Sequence, residues 1–305
     1  MSHLRRFACS LVYQGLLVAA LYAAPATLQA ASGAAPLLPA LTQPASGEHH
    51  VGKVVWADLV TPDLDGAKRF YGALFGWTFR DVPGYTVALL DGDPVAGLFQ
   101  KALPPGQQRR PAWLTFLAVR DVDAAQQTAV HEGGKVLSKP RNYPQRGRQA
   151  VVADPDGAVF AVLAADGGDP PDYLAAPGQW IWSSLLVSNP QRETAFYKAL
   201  FGYDVYDLAS EGDAQHYILS SDNFARAGLN AQPSDSLRRH PHWLNFVRVA
   251  DAADAAKRAV ALGGRVLVEP RLDRHGGQLA VLTDPSGALF GVMEWSDTDT
   301  KQEPQ

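Results

Sequence analysis

The chain has 305 residues, of which 47% are hydrophobic and 19% charged, with a formal charge of -4 and an isoelectric point near 6.0. That is globular composition, long enough for two domains, and it lacks the basic stripe that a nucleic-acid surface requires. Cys9 is the only cysteine and lies near the start, so neither a disulfide scaffold nor thiol catalysis is expected in the body of the protein.

The first segment differs from all that follows. Met1-Ser2-His3-Leu4-Arg5-Arg6 is basic, Phe7 to Ala24 carries no charge, and small residues end the segment near Ala26-Thr27-Leu28-Gln29-Ala30. This is the pattern of a cleaved secretory signal, residues 1–30, and predicts a periplasmic or secreted protein. Tyr13-Gln14-Gly15 interrupts the apolar run, so no stable membrane span is expected after cleavage. Arg5-Arg6 allows a twin-arginine route, but Phe7-Ala8-Cys9 continues it poorly, and the general secretory route is favoured. Residues 31–50 are rich in Ala, Pro and Ser without periodicity and predict a disordered tether.

Lys53 to Val60 then reads as a strand, and Thr61-Pro62-Asp63 opens a helix over Leu64 to Phe75, capped by Thr61 or Asp63 and stopped by Gly76. Short strands follow over 78–81, 85–90 and 94–99. A strand at Trp113–Val119 leads to a helix over 121–131 that ends at Gly133-Gly134, and strands over 136–138, 149–153 and 159–163 complete a doubled βαβββ order. The whole pattern recurs. Trp56, Phe70-Tyr71 and Leu74-Phe75-Gly76 match Trp182, Phe196-Tyr197 and Leu200-Phe201-Gly202 at an offset of 126; Trp113-Leu114, Gly133-Gly134, Pro140-Arg141 and Asp154-Pro155 match Trp243-Leu244, Gly263-Gly264, Pro270-Arg271 and Asp284-Pro285 at 130. Two constant offsets mark a tandem duplication. The predicted domains are 51–166 and 179–296, joined by a linker over 167–178 and followed by a polar tail, 297–305.

The element order, the Phe-Tyr helix, Leu-Phe-Gly, Gly-Gly and Asp-Pro-x-Gly before the last strand resemble the vicinal oxygen chelate superfamily of glyoxalases, bleomycin-resistance proteins and extradiol dioxygenases. Val-x-Trp-x-Asp-Leu near the start resembles its tandem-repeat members. The resemblance implies an α+β fold with two tandem domains, each made of two βαβββ modules forming a cupped mixed sheet. In catalytic members the cup holds a divalent metal on His, Glu or Gln, which acts as a Lewis acid. Carried onto this chain, those ligand positions fall on Trp56 and Trp182, on the stretches 94–99 and 225–229, near Leu114 and Leu244, and on Ala161 and Gly291. None supplies a ligand, so no metal and no cofactor are expected. His242 and Glu294 are the nearest substitutes, and His49, His50, His131, His216, His240 and His275 show no ligand spacing.

The pocket candidates are therefore not metal ligands. Trp56 and Trp182 stand where a His would and offer stacking walls, or else fill a core. Asp58 shares their parity and faces Ser184 in the alignment; it is a general base if burial raises its pKa, but more simply a structural acceptor. Arg141 and Arg271, placed in a loop at the cup mouth, suit an anionic group or are ordinary surface charge. Arg226, aligned with Val95, marks the second repeat alone. No catalytic residue is assigned. The reading favours an exported, metal-independent protein binding an aromatic or anionic small molecule, as a monomer or homodimer. The alternative is a metal-dependent lyase, isomerase or dioxygenase with non-standard ligands, or a metal-free catalyst using Asp58.

Overall fold

The computed structural model describes residues 38–102, 111–208, 215–232, 240–273 and 276–295; the expected signal segment and polar tail lie outside them. Its first module runs β1 (Val54–Thr61), α1 (Leu64–Phe75), β2 (Thr78–Val82), β3 (Tyr85–Leu90) and β4 (Asp93–Gln100). The second runs β5 (Ala112–Ala118), α2 (Val122–His131), β6 (Lys135–Tyr143), β7 (Gly147–Ala153) and β8 (Val159–Ala165). The second repeat follows the same order: β9 (Trp180–Val187), α3 (Pro190–Phe201), β10 (Asp204–Asp207), β11 (His216–Ser221) and β12 (Phe224–Ala231), then β13 (His242–Arg248), α4 (Ala252–Ala261), β14 (Arg265–Leu272), β15 (Gln278–Thr283) and β16 (Leu289–Met293). Local chemistry sets the helix limits. The Asp63 carboxylate accepts from the Gly66 N–H at 2.8 Å, and Gly76 closes α1 at φ 77°, a left-handed conformation glycine adopts without steric cost.

Each repeat is one eight-stranded mixed sheet, ordered β2-β3-β4-β1-β5-β8-β7-β6 and β10-β11-β12-β9-β13-β16-β15-β14. The central pairs β1/β5 and β9/β13 are antiparallel, with parallel pairs on either side. β6 and β14 are longer than the sequence suggested. Pro140 and Pro270 do not end them, because both sit on edge strands beside register shifts, where a missing N–H leaves no ladder bond unmade.

The helices are exchanged between repeats. One core packs α1 and the back of β1 and β4 against α4 and Phe290, Val292 and Leu282 of the second repeat. The other packs α2, Phe160 and Val162 against α3, Leu185 and Leu229. Two reciprocal chains of polar groups run through these cores. Trp113 donates to the Tyr71 hydroxyl at 3.0 Å and Tyr71 to Asp284 at 3.3 Å; Trp243 donates to Tyr197 at 3.1 Å and Tyr197 to Asp154 at 3.1 Å. Between the sheets Thr115 and Asn245, equivalent residues of the two repeats, bond each other at 3.0 and 3.2 Å. The convex backs therefore face each other with the helices between them, and the two concave faces point outward.

Residues 38–50, expected as part of a loose tether, instead form a strap. Leu38 and Leu41 are 1% and 5% exposed and join the cluster on the concave face of the first sheet. The Ser46 hydroxyl donates to Asp169 O at 2.7 Å, and Asp169 N–H to Glu48 O at 2.8 Å, tying the strap to the linker. Two leucines in an otherwise small and polar stretch supply the apolar contact that holds it.

Candidate functional site

The first cup is sealed. Trp56, Asp58, Leu114, Phe116 and Ala161 share one face across β1, β5 and β8, and all are buried. The Asp58 carboxylate accepts from Trp56 Nε1 at 2.8 Å and from the Tyr85 hydroxyl at 2.7 Å. Burial, then the Asp58 charge, pushes the Tyr85 hydroxyl well above its ordinary value, so Tyr85 is a donor at any working pH. Gly97 is required: a Cβ there would lie 1.8 Å from Tyr85 Oη and 2.1 Å from Asp58 Oδ1. The face of Trp56 is already taken, because the Arg146 guanidinium stacks on its ring at 4.3 Å while Nε donates to Pro39 O at 2.7 Å. Arg146 Nη2 and both amide atoms of Gln149 are buried without a partner among the described residues.

The second cup has the same frame and different contents. Trp182, Ser184, His216, Leu279 and Val281 are all half-buried. Trp182 stacks with Trp295 at 6.3 Å between centroids. A Cβ on Gly228 would meet Asn230 Nδ2 at 3.3 Å, the Ser184 hydroxyl at 3.4 Å and Trp182 Nε1 at 3.5 Å, so three hydrogen-bonding groups converge on that glycine. His216 pairs with the Asn230 side-chain oxygen. Gly291 leaves space that the Phe246 ring fills, 2.1 Å from where a Cβ would stand. The register Arg271↔Leu279 puts Arg271 on the cup-facing side of β14. Arg141 stands likewise opposite Gln149 on β6. Both arginines are exposed on strands at the rims, not in loops.

Sequence comparison fits this architecture. A family model described as the glyoxalase/bleomycin resistance protein/dioxygenase superfamily matches residues 49–162, and one described as a glyoxalase-like domain matches 184–293. The chain belongs to this superfamily. CFP32 of Mycobacterium tuberculosis, named as a candidate glyoxylase, is 33% identical over 259 residues, 82% of this chain and 98% of its own. The anthracycline biosynthesis protein DauV of Streptomyces sp. is 32% identical over 80% of this chain and 93% of its own. Among solved structures, the Mn(II)-bound glyoxalase of Novosphingobium aromaticivorans superposes with a TM-score of 0.57 at 19% identity, covering 81% of this chain and 83% of that one. The 2,3-dioxygenase LapB of Pseudomonas sp. KL28 does so at 0.57 and 15%, covering 81% and 93%. At such identities the two structures speak for the fold alone.

A metal of the superfamily type does not fit the residues present. Trp56 Nε1 carries a proton that it donates to Asp58 and Tyr85, and an indole has no lone pair for a metal. Leu114, Ala161, Leu244 and Gly291 offer no donor, and among the described residues no three His, Cys, Asp or Glu side chains come together. The substitutes have other tasks. The Glu294 carboxylate accepts from the N–H groups of Ala252 and Gln278 at 2.9 and 3.0 Å, and His242 Nδ1 meets His240 O at 2.8 Å.

Of the other sequence candidates, Arg226 is not a cup residue. It is 7% exposed and donates to Asp172 at 2.6 Å and to Ser221 at 3.0 Å, binding the linker to β12. On the neighbouring strand β7, Arg148 forms a forked pair with Asp123 at 2.6 and 2.8 Å, away from Arg141. The sequence reading missed Tyr85, Arg146, Gln149 and Trp295. Their signal lay in the alignment of the repeats, where they face His216, Gly276, Leu279 and Ala165, a change of chemical type at every position.

Proposed function

We propose that this superfamily member is an exported protein that binds a small, flat aromatic or anionic molecule in its second cup, without a metal. The observation that carries the reading is the convergence of the Trp182 indole, the Ser184 hydroxyl and the Asn230 amide on Gly228, beside the Trp182–Trp295 stack. Aromatic walls with a few placed polar groups are the usual make-up of a ligand pocket. Asp58 has become Ser184, so the carboxylate of the first cup is gone from the equivalent place, and Arg271 at the rim adds a fork for an anion. Relatives named for anthracycline biosynthesis agree with a flat aromatic ligand. Export is supported by the N-terminal pattern in residues 1–30.

The test is a binding titration beside a metal assay. Untagged mature protein, offered zinc, nickel, manganese and ferrous iron, should retain less than about a tenth of an equivalent after desalting. It should bind aromatic carboxylates or sulfonates, and Trp182→Ala should weaken that binding about tenfold. N-terminal sequencing of protein recovered outside the cytoplasm should begin near residue 31. Stoichiometric metal with turnover of a vicinal dicarbonyl or catechol, abolished by a chelator, would overturn the reading in favour of a lyase, isomerase or dioxygenase.

A further inference from the structure

A cavity of about 500 Å³ opens where the repeats meet, bordering the first cup at Leu41, Val55 and Trp56 and lying apart from the second. Its walls are the strap over 41–48, the linker over 170–175, the first residues of β1, β4 and β9, and Asn245 at the back. That volume lies within the range of small-molecule sites, which favour domain junctions. Two of its walls, strap and linker, belong to neither repeat, so the site is not a copy of anything the duplication brought.

The lining has a definite chemistry. Tyr173, 62% exposed, and Trp180, whose ring packs edge-on against Trp77 and Trp113 at 5.8 and 5.0 Å, both line the cavity, and Pro44, Pro94, Pro170 and Pro171 add apolar surface. Trp180 is held in place, its indole N–H donating to Val95 O at 2.9 Å. Three charged side chains reach the cavity. Lys53 is engaged, 2.7 Å from Asp172 and donating to Pro170 O at 2.6 Å, and burial holds its ammonium below the ordinary value. Glu48 pairs with His50 at 2.8 Å. Asp93 is exposed at the start of β4 and has no side-chain partner among the described residues. The charge left over is therefore negative, and it sits at the edge of an aromatic and proline-lined cleft.

The geometry points to a second binding site here, for a flat and largely apolar cation of the aromatic ammonium type, seated between Trp180 and Tyr173 with its charge toward Asp93. Aromatic faces and a carboxylate attract such a cation together. The second cup, with Arg271 at its rim and Ser184 in place of Asp58, selects the opposite sign. The two sites are independent, and one set of titrations separates them.

The probes are berberine, a planar aromatic cation, and 1-anilinonaphthalene-8-sulfonate, a planar aromatic anion, each titrated into the purified protein by fluorescence. Berberine should saturate at one per chain. Asp93→Asn should weaken it about fivefold, near the upper end for one exposed charge pair, and Tyr173→Ala about five- to tenfold. Both residues are exposed, so both variants should keep the parent circular dichroism. Neither should alter the anion, whereas Trp182→Ala should weaken the anion and spare the cation. The site is refuted if berberine shows no saturable binding up to ~1 mM, if binding survives both substitutions, or if Trp182→Ala removes it. Loss of the anion result alone would count against the second-cup reading and leave this site standing.

Discussion

The exchange of helices between repeats makes a quantitative prediction for Tyr71 and Tyr197. Tyr71→Phe keeps the ring and its stack on Trp77 at 5.6 Å, so packing is unchanged and only the hydroxyl is lost. That hydroxyl accepts from Trp113 at 3.0 Å and donates to Asp284 at 3.3 Å. Its removal strands a buried indole N–H, which costs about 1–3 kcal/mol. Asp284 keeps its bonds from Ser286, Gly287 and Ala288, all at 2.7 to 2.8 Å, so the carboxyl side adds little. A loss of about 2 kcal/mol lowers the midpoint of a body this size by about 4–8 °C. Tyr197→Phe should do the same through Trp243 and Asp154, and the double variant should be additive, because the two chains lie in separate cores. Differential scanning calorimetry and urea unfolding measure all three. Each trace should stay a single transition, since each repeat's turn is held by the other repeat's helix. Two resolved transitions, or losses below about 0.5 kcal/mol, would refute the claim that these contacts weld the repeats.

Three further substitutions probe the differences between the halves. Glu193 is fully buried where the first repeat has Ala67, and it lies by Asp154. Burial raises the pKa of both carboxyls, and the Glu193 charge raises that of Asp154 further. A raised folded pKa means that the stabilisation is full below the ordinary carboxylate range and is lost as pH climbs through the folded value. Glu193→Gln should therefore gain stability over the parent at pH 8 and little at pH 4, as read from urea midpoints; an equal effect at both would sink the argument. Gly97→Ala forces a methyl into Tyr85 and Asp58, at 1.8 and 2.1 Å, and should cost about 1–3 kcal/mol or more. Gly228→Ala meets nothing closer than 3.3 Å and should be nearly neutral in stability while weakening ligand binding in the second cup.

The duplication, the βαβββ order and the α1 limits were legible because they rest on local signals: periodicity, Asp63 and Gly76 as caps, and residue identities recurring at fixed offsets. That Trp56, Trp182, Ala161 and Gly291 stand where the superfamily resemblance places ligands was readable from residue identity alone. What stayed hidden depended on contacts distant in sequence. Tyr71 reads as ordinary helix packing until Asp284 is placed beside it, 213 positions away. Trp56 reads as an open stacking wall until Arg146 and Pro39 cover it. Arg226 on a strand looks like a pocket residue, and only the path of the linker brings Asp172 to it. The strap was hidden by composition, because a run rich in Ala, Pro and Ser gives no periodicity from which Leu38 and Leu41 stand out as anchors.

The comparison of the repeats separates structural work from site chemistry. On the convex backs the residues of the welding chains are identical: Phe70 and Phe196, Tyr71 and Tyr197, Trp113 and Trp243, Asp154 and Asp284. On the concave faces the equivalents differ in kind: Asp58 and Ser184, Tyr85 and His216, Phe99 and Asn230, Arg146 and Gly276, Gln149 and Leu279. Each core is built from both repeats, so a change on either back, such as Glu193 for Ala67 or Tyr203 for Trp77, reaches both domains at once. Among the described residues the two cups belong to separate clusters, so one lining can change without the other. The first cup changed toward closure, with an acid, an arginine and a strap; the second kept a half-open face of indole, hydroxyl and amide. These changes give the two cups different polar linings on a shared frame of Trp56 and Trp182, Leu114 and Leu244, and Phe116 and Phe246, and that is why the second cup, not the first, carries the proposed ligand.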